Sequence, residues 1–186
     1  MTIQTLAGAA LFAALIAPAA SADPGRAKLV DAELQTLAHI HRVNQLEIEM
    51  GRLAEKKGTT PGIKAYGGMI VRDHTANDRD ALALAKRHGQ AIPKEIATNE
   101  SDRAQMKDDD EMVDKLKSEN GADFDRDFLA AAVTGHEREL ARSDTAIGQA
   151  QAVDLQTFLK DMKPVLQHHL DAARDLQKAN AQAATP

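Results

Sequence analysis

Three histidines sit where a helical protein would ordinarily bury hydrocarbon. His74 lies in IKAYGGMIVRDHTANDRDALALAKRH (63–88), on the face made by Ile63, Tyr66, Gly67, Ile70, His74, Asn77, Ala81, Leu84 and His88. His136 falls among Leu129, Ala132, Leu140, Ser143 and Ile147, and His169 among Leu159, Met162, Leu166, Ala173 and Leu176. Spacings of three and four residues put each set on one helical face. Neutral imidazoles held by rigid helices are ligands for Zn²⁺, Cu²⁺ or Fe²⁺, and one nearby carboxylate would complete such a set. Glu47 is the candidate carboxylate. The expected metal ligands are therefore His74, His136, His169 and Glu47, around a single Zn, Cu or Fe ion. Each ligating imidazole needs an acceptor for its other N–H. Asn44, Asn77 and Ser143 are the candidates, and Asp73 points to the side of its helix, toward a neighbouring helix or solvent. No catalytic residues are assigned: Ser143 and Thr134 lie near His136, but no oxyanion-hole loop accompanies them.

The competing reading makes the same histidines structural hydrogen-bonders, since an unpaired buried imidazole costs roughly 1–3 kcal/mol. Of the others, His39 and His168 read as exposed. His41 and His88 lie at other heights and read as separate polar contacts.

The elements that must position these groups are helices. The first long helix runs from about Val30 to Lys57 and stops at Gly58. It carries one stripe of Val30, Leu34, Leu37, His41 and Ile48, and a second of Ile40, Val43, Leu46, Met50 and Leu53, with Glu47 on the arc between. Thr60-Pro61 supplies an N-cap and first-turn proline for the second helix, and Gly89 its stop. The short turn returns that helix antiparallel. A modest helix over about Asp102–Lys117 lies in the long connection, with Asp108–Glu111 as a solvated acidic run. Asp123 caps the third long helix, which runs to about Ala150. Asp154 caps the fourth, which Pro164 should kink before His169. Residues 181–186 form a fraying tail. Counted from the first turn, Glu47 and His74 lie about thirteen and fourteen residues away; counted from the second, His136 and His169 lie about sixteen and seventeen. Each pair is thus level at ~1.5 Å per residue. Whether both pairs share a layer depends on the crossover. Tyr66, Val71 and His74 also match Phe128, Val133 and His136 at one constant offset, a faint internal repeat.

Composition narrows the classes. There is no cysteine, hence no disulfide or thiolate chemistry. With no Trp, one Tyr and four Phe in a chain rich in Ala and Leu, helices are favoured over sheets. A net charge of -5 argues against nucleic acid. The apolar run Leu6–Ile16 followed by Ala20-Ser21-Ala22 reads as a secretory signal over residues 1–22, cleaved after Ala22, and implies a periplasmic protein. Residues 23–180 then form one domain with no transmembrane segment.

The segments LEIEMGRLA, IKAYGGMIVRDHTAND, ADFDRDFLAAAVTGHERELA and FLKDMKPVLQHHLDAARDL resemble the domain-of-unknown-function family DUF4142, whose members are exported bacterial proteins grouped with ferritin-like bundles. The resemblance covers about Asp31 to Leu176. Its most recognisable block runs from Tyr66 through Met69 to Asp73-His74; in the third-helix copy Ala131 replaces Met and Gly135 replaces Asp. The resemblance implies an all-α, ferritin-like antiparallel four-helix bundle: two helical hairpins joined by a crossover containing a short extra helix. The di-iron signature of such bundles is missing, because Val71 and Leu166 stand three residues before His74 and His169 where Glu is required. Two functions remain open. One is a bundle binding a single metal ion through a buried His/Glu layer. The other is a non-enzymatic envelope binding or structural module, with a protein partner or self-association through the second stripe of the first helix.

Overall fold

The computed structural model describes residues 27–183, so the expected signal segment 1–22 lies outside the described residues. Five helices and no strands are found among them: α1 (Asp31–Lys57), α2 (Pro61–Arg87), α3 (Glu100–Ser118), α4 (Gly121–Gln149) and α5 (Val153–Ala183). The boundaries follow local chemistry. The Thr60 hydroxyl accepts the Ile63 N–H at the start of α2, and Gly89 takes the left-handed φ of +68° that ends it. Asn99 caps α3 by accepting the Asp102 N–H at 2.9 Å. Asp123 does not cap α4: Asn120 holds the cap position and Asp123 pairs with Arg126 one turn along. α5 runs unbroken through Pro164 and on to Ala183, three residues into the expected tail; residues 184–186 lie outside the described residues.

α1 and α2 form one antiparallel hairpin and α4 and α5 the other, with α2 lying along α5 and α1 along α4. Two glycines set the spacing of the first hairpin. A Cβ on Gly67 would stand 2.7 Å from the Gly51 carbonyl oxygen, and one on Gly51 would stand 2.8 Å from that of Gly67. Backbone therefore meets backbone, and the register of α1 on α2 is pinned there. α2 and α4 run in the same direction, so the chain must travel the length of the bundle between them. The connection containing α3 does this, lying over α1 and α4.

α3 also packs on the second stripe of α1. Its Met112, Val113 and Leu116 share a core block with Leu46, Met50 and Leu53, while Ile40 joins the other block and Val43 is half-buried. Val43, Leu46 and Met50 of this stripe also line a cavity between α1, α3 and α4. The acidic run is not wholly solvated either. Asp109 and Asp110 both hold Arg42, at 2.9 and 3.0 Å, and Asp109 also takes Arg138. No described helix is long and apolar enough to cross a membrane.

The core comes in two apolar blocks. One is built around Ile63, Tyr66, Ile70, Phe124, Phe128 and Leu129, the other around Leu37, Ile40, Ala81, Leu84, Leu155 and Leu159. Between them on α2, α4 and α5 stand His74, His136 and His169. The repeat-related pairs meet across this core: Tyr66 packs edge-on against Phe128 with centroids 5.8 Å apart, and His74 likewise against His136 at 5.7 Å.

Candidate metal centre

The crossover brings both hairpins to one level. The three imidazoles are at most 4% exposed, and their ring centroids are 5.2–5.7 Å apart. One nitrogen from each can be chosen so that all lie within 4.8 Å of one another. Tetrahedral Zn–N bonds of about 2.0–2.1 Å put donor nitrogens ~3.3 Å apart, so side-chain adjustments of about an ångström would close the set.

The outward nitrogen of each ring is engaged by an acceptor. His74 Nδ1 donates to Asn44 Oδ1 at 2.8 Å, an oxygen that also accepts from Asn77 Nδ2 at 3.2 Å. His136 Nδ1 donates to the Ala132 carbonyl, one turn back on its own helix, at 2.8 Å. His169 Nε2 donates to Asp73 Oδ2 at 3.1 Å, and Arg72 holds the same carboxylate at 2.8 Å. A neutral imidazole has one N–H. With that proton committed outward, His74 Nε2, His136 Nε2 and His169 Nδ1 are left as inward lone pairs.

Proton counting shows what this means. From the Ala132 carbonyl through His136 and His169 to Asp73 there are three contacts, the middle one between His136 Nε2 and His169 Nδ1 at 3.2 Å. Three hydrogen bonds need three protons, and two neutral rings carry two. His74 Nε2 adds a third inward lone pair, buried and without a partner. A proton is a poor remedy. Burial depresses all three imidazoles: His74 falls well below the usual histidine range, with His136 and His169 adding to the effect; His136 falls as well; and His169 drops to about 4 despite the opposing Asp73 carboxylate.

Glu47 does not join the set. Asn44 is the α1 residue facing His74; Glu47, three residues on, is turned by about 60° around the helix. Its Oε1 lies 3.4 Å from where a Cβ on Gly135 would be, against α4. It lines a different cavity, between α1, α3 and α4, with Arg138 and Asp109. Among the described residues no carboxylate oxygen joins the three imidazoles as a candidate ligand. Of the expected acceptors, Asn44 holds His74 and Asn77 braces Asn44, while Asp73, expected only to face a neighbouring helix or solvent, accepts from His169. Ser143 instead donates to the Glu139 carbonyl at 2.7 Å. The Ala132 carbonyl is a further acceptor that sequence reasoning missed, because a backbone oxygen has no side-chain signal.

The remaining histidines mostly fall as expected. His168 is exposed, His41 pairs with Asp78 at 2.5 Å, and His88 bridges the Ala27 carbonyl and Asp154. His39 is the exception: it is only 11% exposed, with Glu95 at 2.7 Å on one nitrogen and Glu139 at 2.9 Å on the other. Although burial opposes it, the two carboxylates raise its pKa to about 9.

A groove of about 520 Å³ between α2 and α5 reaches the layer, lined by His74, His169, Asp73, Asn77, Met162 and His168. The molecule is thus a helical bundle whose core is divided by a three-histidine layer. The profile of the Domain of unknown function (DUF4142) matches residues 18–176, and the chain belongs to that family. No curated protein and no solved structure matches it.

Proposed function

We propose that this chain is an exported, ferritin-like bundle that binds one transition-metal ion through His74, His136 and His169. The observation that carries this is the set of three converging lone pairs, each fixed by an acceptor on the far side of its ring. One divalent ion satisfies all three, whereas a shared proton joins His136 to His169 and still leaves His74 Nε2 bare. The donor set selects among metals. Three imidazoles without a carboxylate suit Zn²⁺ or Cu²⁺, while the two-histidine, one-carboxylate set of non-haem iron sites is absent once Glu47 is removed from the list. Three protein ligands would leave a further position for water or a small exogenous ligand, and the α2/α5 groove reaches the layer. The single long crossover between two hairpins supports the ferritin-like assignment, and the Leu6–Ala22 pattern supports export to the periplasm.

Titration of metal-stripped protein with Zn²⁺ and Cu²⁺ tests this reading. One equivalent should bind, and His74→Phe, His136→Phe and His169→Phe should each abolish that binding while the helical circular-dichroism signal persists. Absence of equimolar binding, or full binding by His74→Phe, overturns it in favour of a structural module whose histidines are only hydrogen-bonded.

A further inference from the structure

Glu47 is the second unexplained buried group. It is 5% exposed, its Oε2 has no hydrogen-bond partner, and no ion pair reaches it among the described residues. It lines a cavity of about 340 Å³, walled on the apolar side by Val43, Leu46, Met50 and Met112, with Asp108 and Asp109 from α3 at the same cavity. We propose that this cavity is a binding site for a short aliphatic primary amine, its ammonium on Glu47 and its chain along the Leu46–Met112 wall.

Each part of that assignment follows from the lining. The favoured charge is positive because the lining is net acidic, with Glu47, Asp108 and Asp109 against one cation, Arg138, which Asp109 holds at 3.0 Å. Among the described residues no ion pair reaches Glu47, whose buried Oε2 has no hydrogen-bond partner. A bare metal ion does not fit, since the only group of His, Asp and Glu ligand atoms close enough to chelate among the described residues is the histidine layer. A quaternary ammonium does not fit either, because no aromatic ring lines the cavity to supply the face such cations prefer. A primary ammonium is a compact charge that one oxygen can hold. The size lies at the lower end of the range for small-ligand pockets. The buried carboxyl is also held far above its usual range, to about 8, by desolvation first and then by Glu139 and Asp109, with Arg138 opposing. A bound ammonium supplies the missing counter-charge.

None of the three histidines lines this cavity, so the test uses metal-stripped protein. Butylammonium, butan-1-ol and tetramethylammonium are titrated calorimetrically into wild type, Glu47→Gln and Val43→Phe at constant ionic strength. Butylammonium should bind wild type at about 1 mM or tighter. Butan-1-ol and tetramethylammonium should bind at least tenfold more weakly, and Glu47→Gln should weaken butylammonium at least tenfold. Val43→Phe narrows the cavity from its apolar wall while keeping the carboxyl, and gives the same loss by an independent route if the Glu47 variant does not fold. Butan-1-ol or tetramethylammonium binding as well as butylammonium, unchanged affinity in either variant, or no heat from butylammonium overturns the assignment.

Discussion

Replacing Asp73 with asparagine isolates the charge behind His169, one of the three proposed ligands. The amide of the Asp73→Asn variant keeps an oxygen able to accept the His169 Nε2 proton, which lies 3.1 Å from Asp73 Oδ2 in the native chain, so the tautomer survives. What is lost is the negative charge that makes His169 Nδ1 a better donor. Carboxylate acceptors of this kind are typically worth 10–100-fold in metal affinity. Here the lower end applies: the Asp73 side chain is 24% exposed and shares its charge with Arg72 at 2.8 Å. We therefore expect Asp73→Asn to weaken Zn²⁺ binding about tenfold, or ~1.4 kcal/mol, measured by competition with a chromophoric chelator at pH 7. Unfolding of the metal-free protein in urea should change little, because the hydrogen bond remains. Arg72→Ala provides the opposite perturbation, freeing the carboxylate from its competitor, and should leave affinity equal or higher. Equal Zn²⁺ affinity in Asp73→Asn and wild type would refute the role given to Asp73, as would a tenfold loss in Arg72→Ala.

Three other outcomes follow from the geometry. The His39 pKa, raised from 6.5 to about 9, means that its carboxylate contacts stabilise the fold fully below pH 6.5 and that this contribution is lost as pH rises through 9. The loss is on the order of 3 kcal/mol, and urea midpoints at pH 6 and pH 10 should show it in wild type but not in His39→Gln. Glu47 has its pKa raised from 4.5 to about 8. The folded state therefore binds the extra proton between those values, and ionising Glu47 costs stability as pH climbs from 4.5 to 8. Glu47→Gln should accordingly be more stable than wild type at pH 9, by up to about 5 kcal/mol, and near parity at pH 4; equal stability at pH 9 would contradict a buried, uncompensated carboxyl. Gly67→Ala puts a methyl 2.7 Å from the Gly51 carbonyl and 2.8 Å from the Ala54 Cβ. It should lower unfolding free energy by about 2–3 kcal/mol, read from its shifted urea midpoint.

The helices and their histidines are legible in the sequence because both rest on short-range pattern. A stripe at spacings of three and four, a Thr-Pro start and a Gly stop act within one or two turns, and they locate α1 and α2 to within a residue. The levels of His74, His136 and His169 follow from counting along rigid rods. Two things need the third dimension. The common layer depends on how the crossover seats one hairpin on the other, which no local signal encodes. Glu47 is misplaced by the sequence because height along a rod is matched there while angle around it is not. His39 shows the same limit: its two carboxylates come from positions 95 and 139, far away in the chain, so nothing near it marks it as buried.

Zinc K-edge X-ray absorption on the protein loaded with one equivalent of Zn²⁺ counts the ligands directly. Three imidazoles at about 2.0–2.1 Å, with one further light-atom ligand, are the expected shell, and His136→Phe should not reproduce it. A shell of oxygens alone, or zinc lost on gel filtration with His74 Nε2 still bare, would contradict a metal-binding layer.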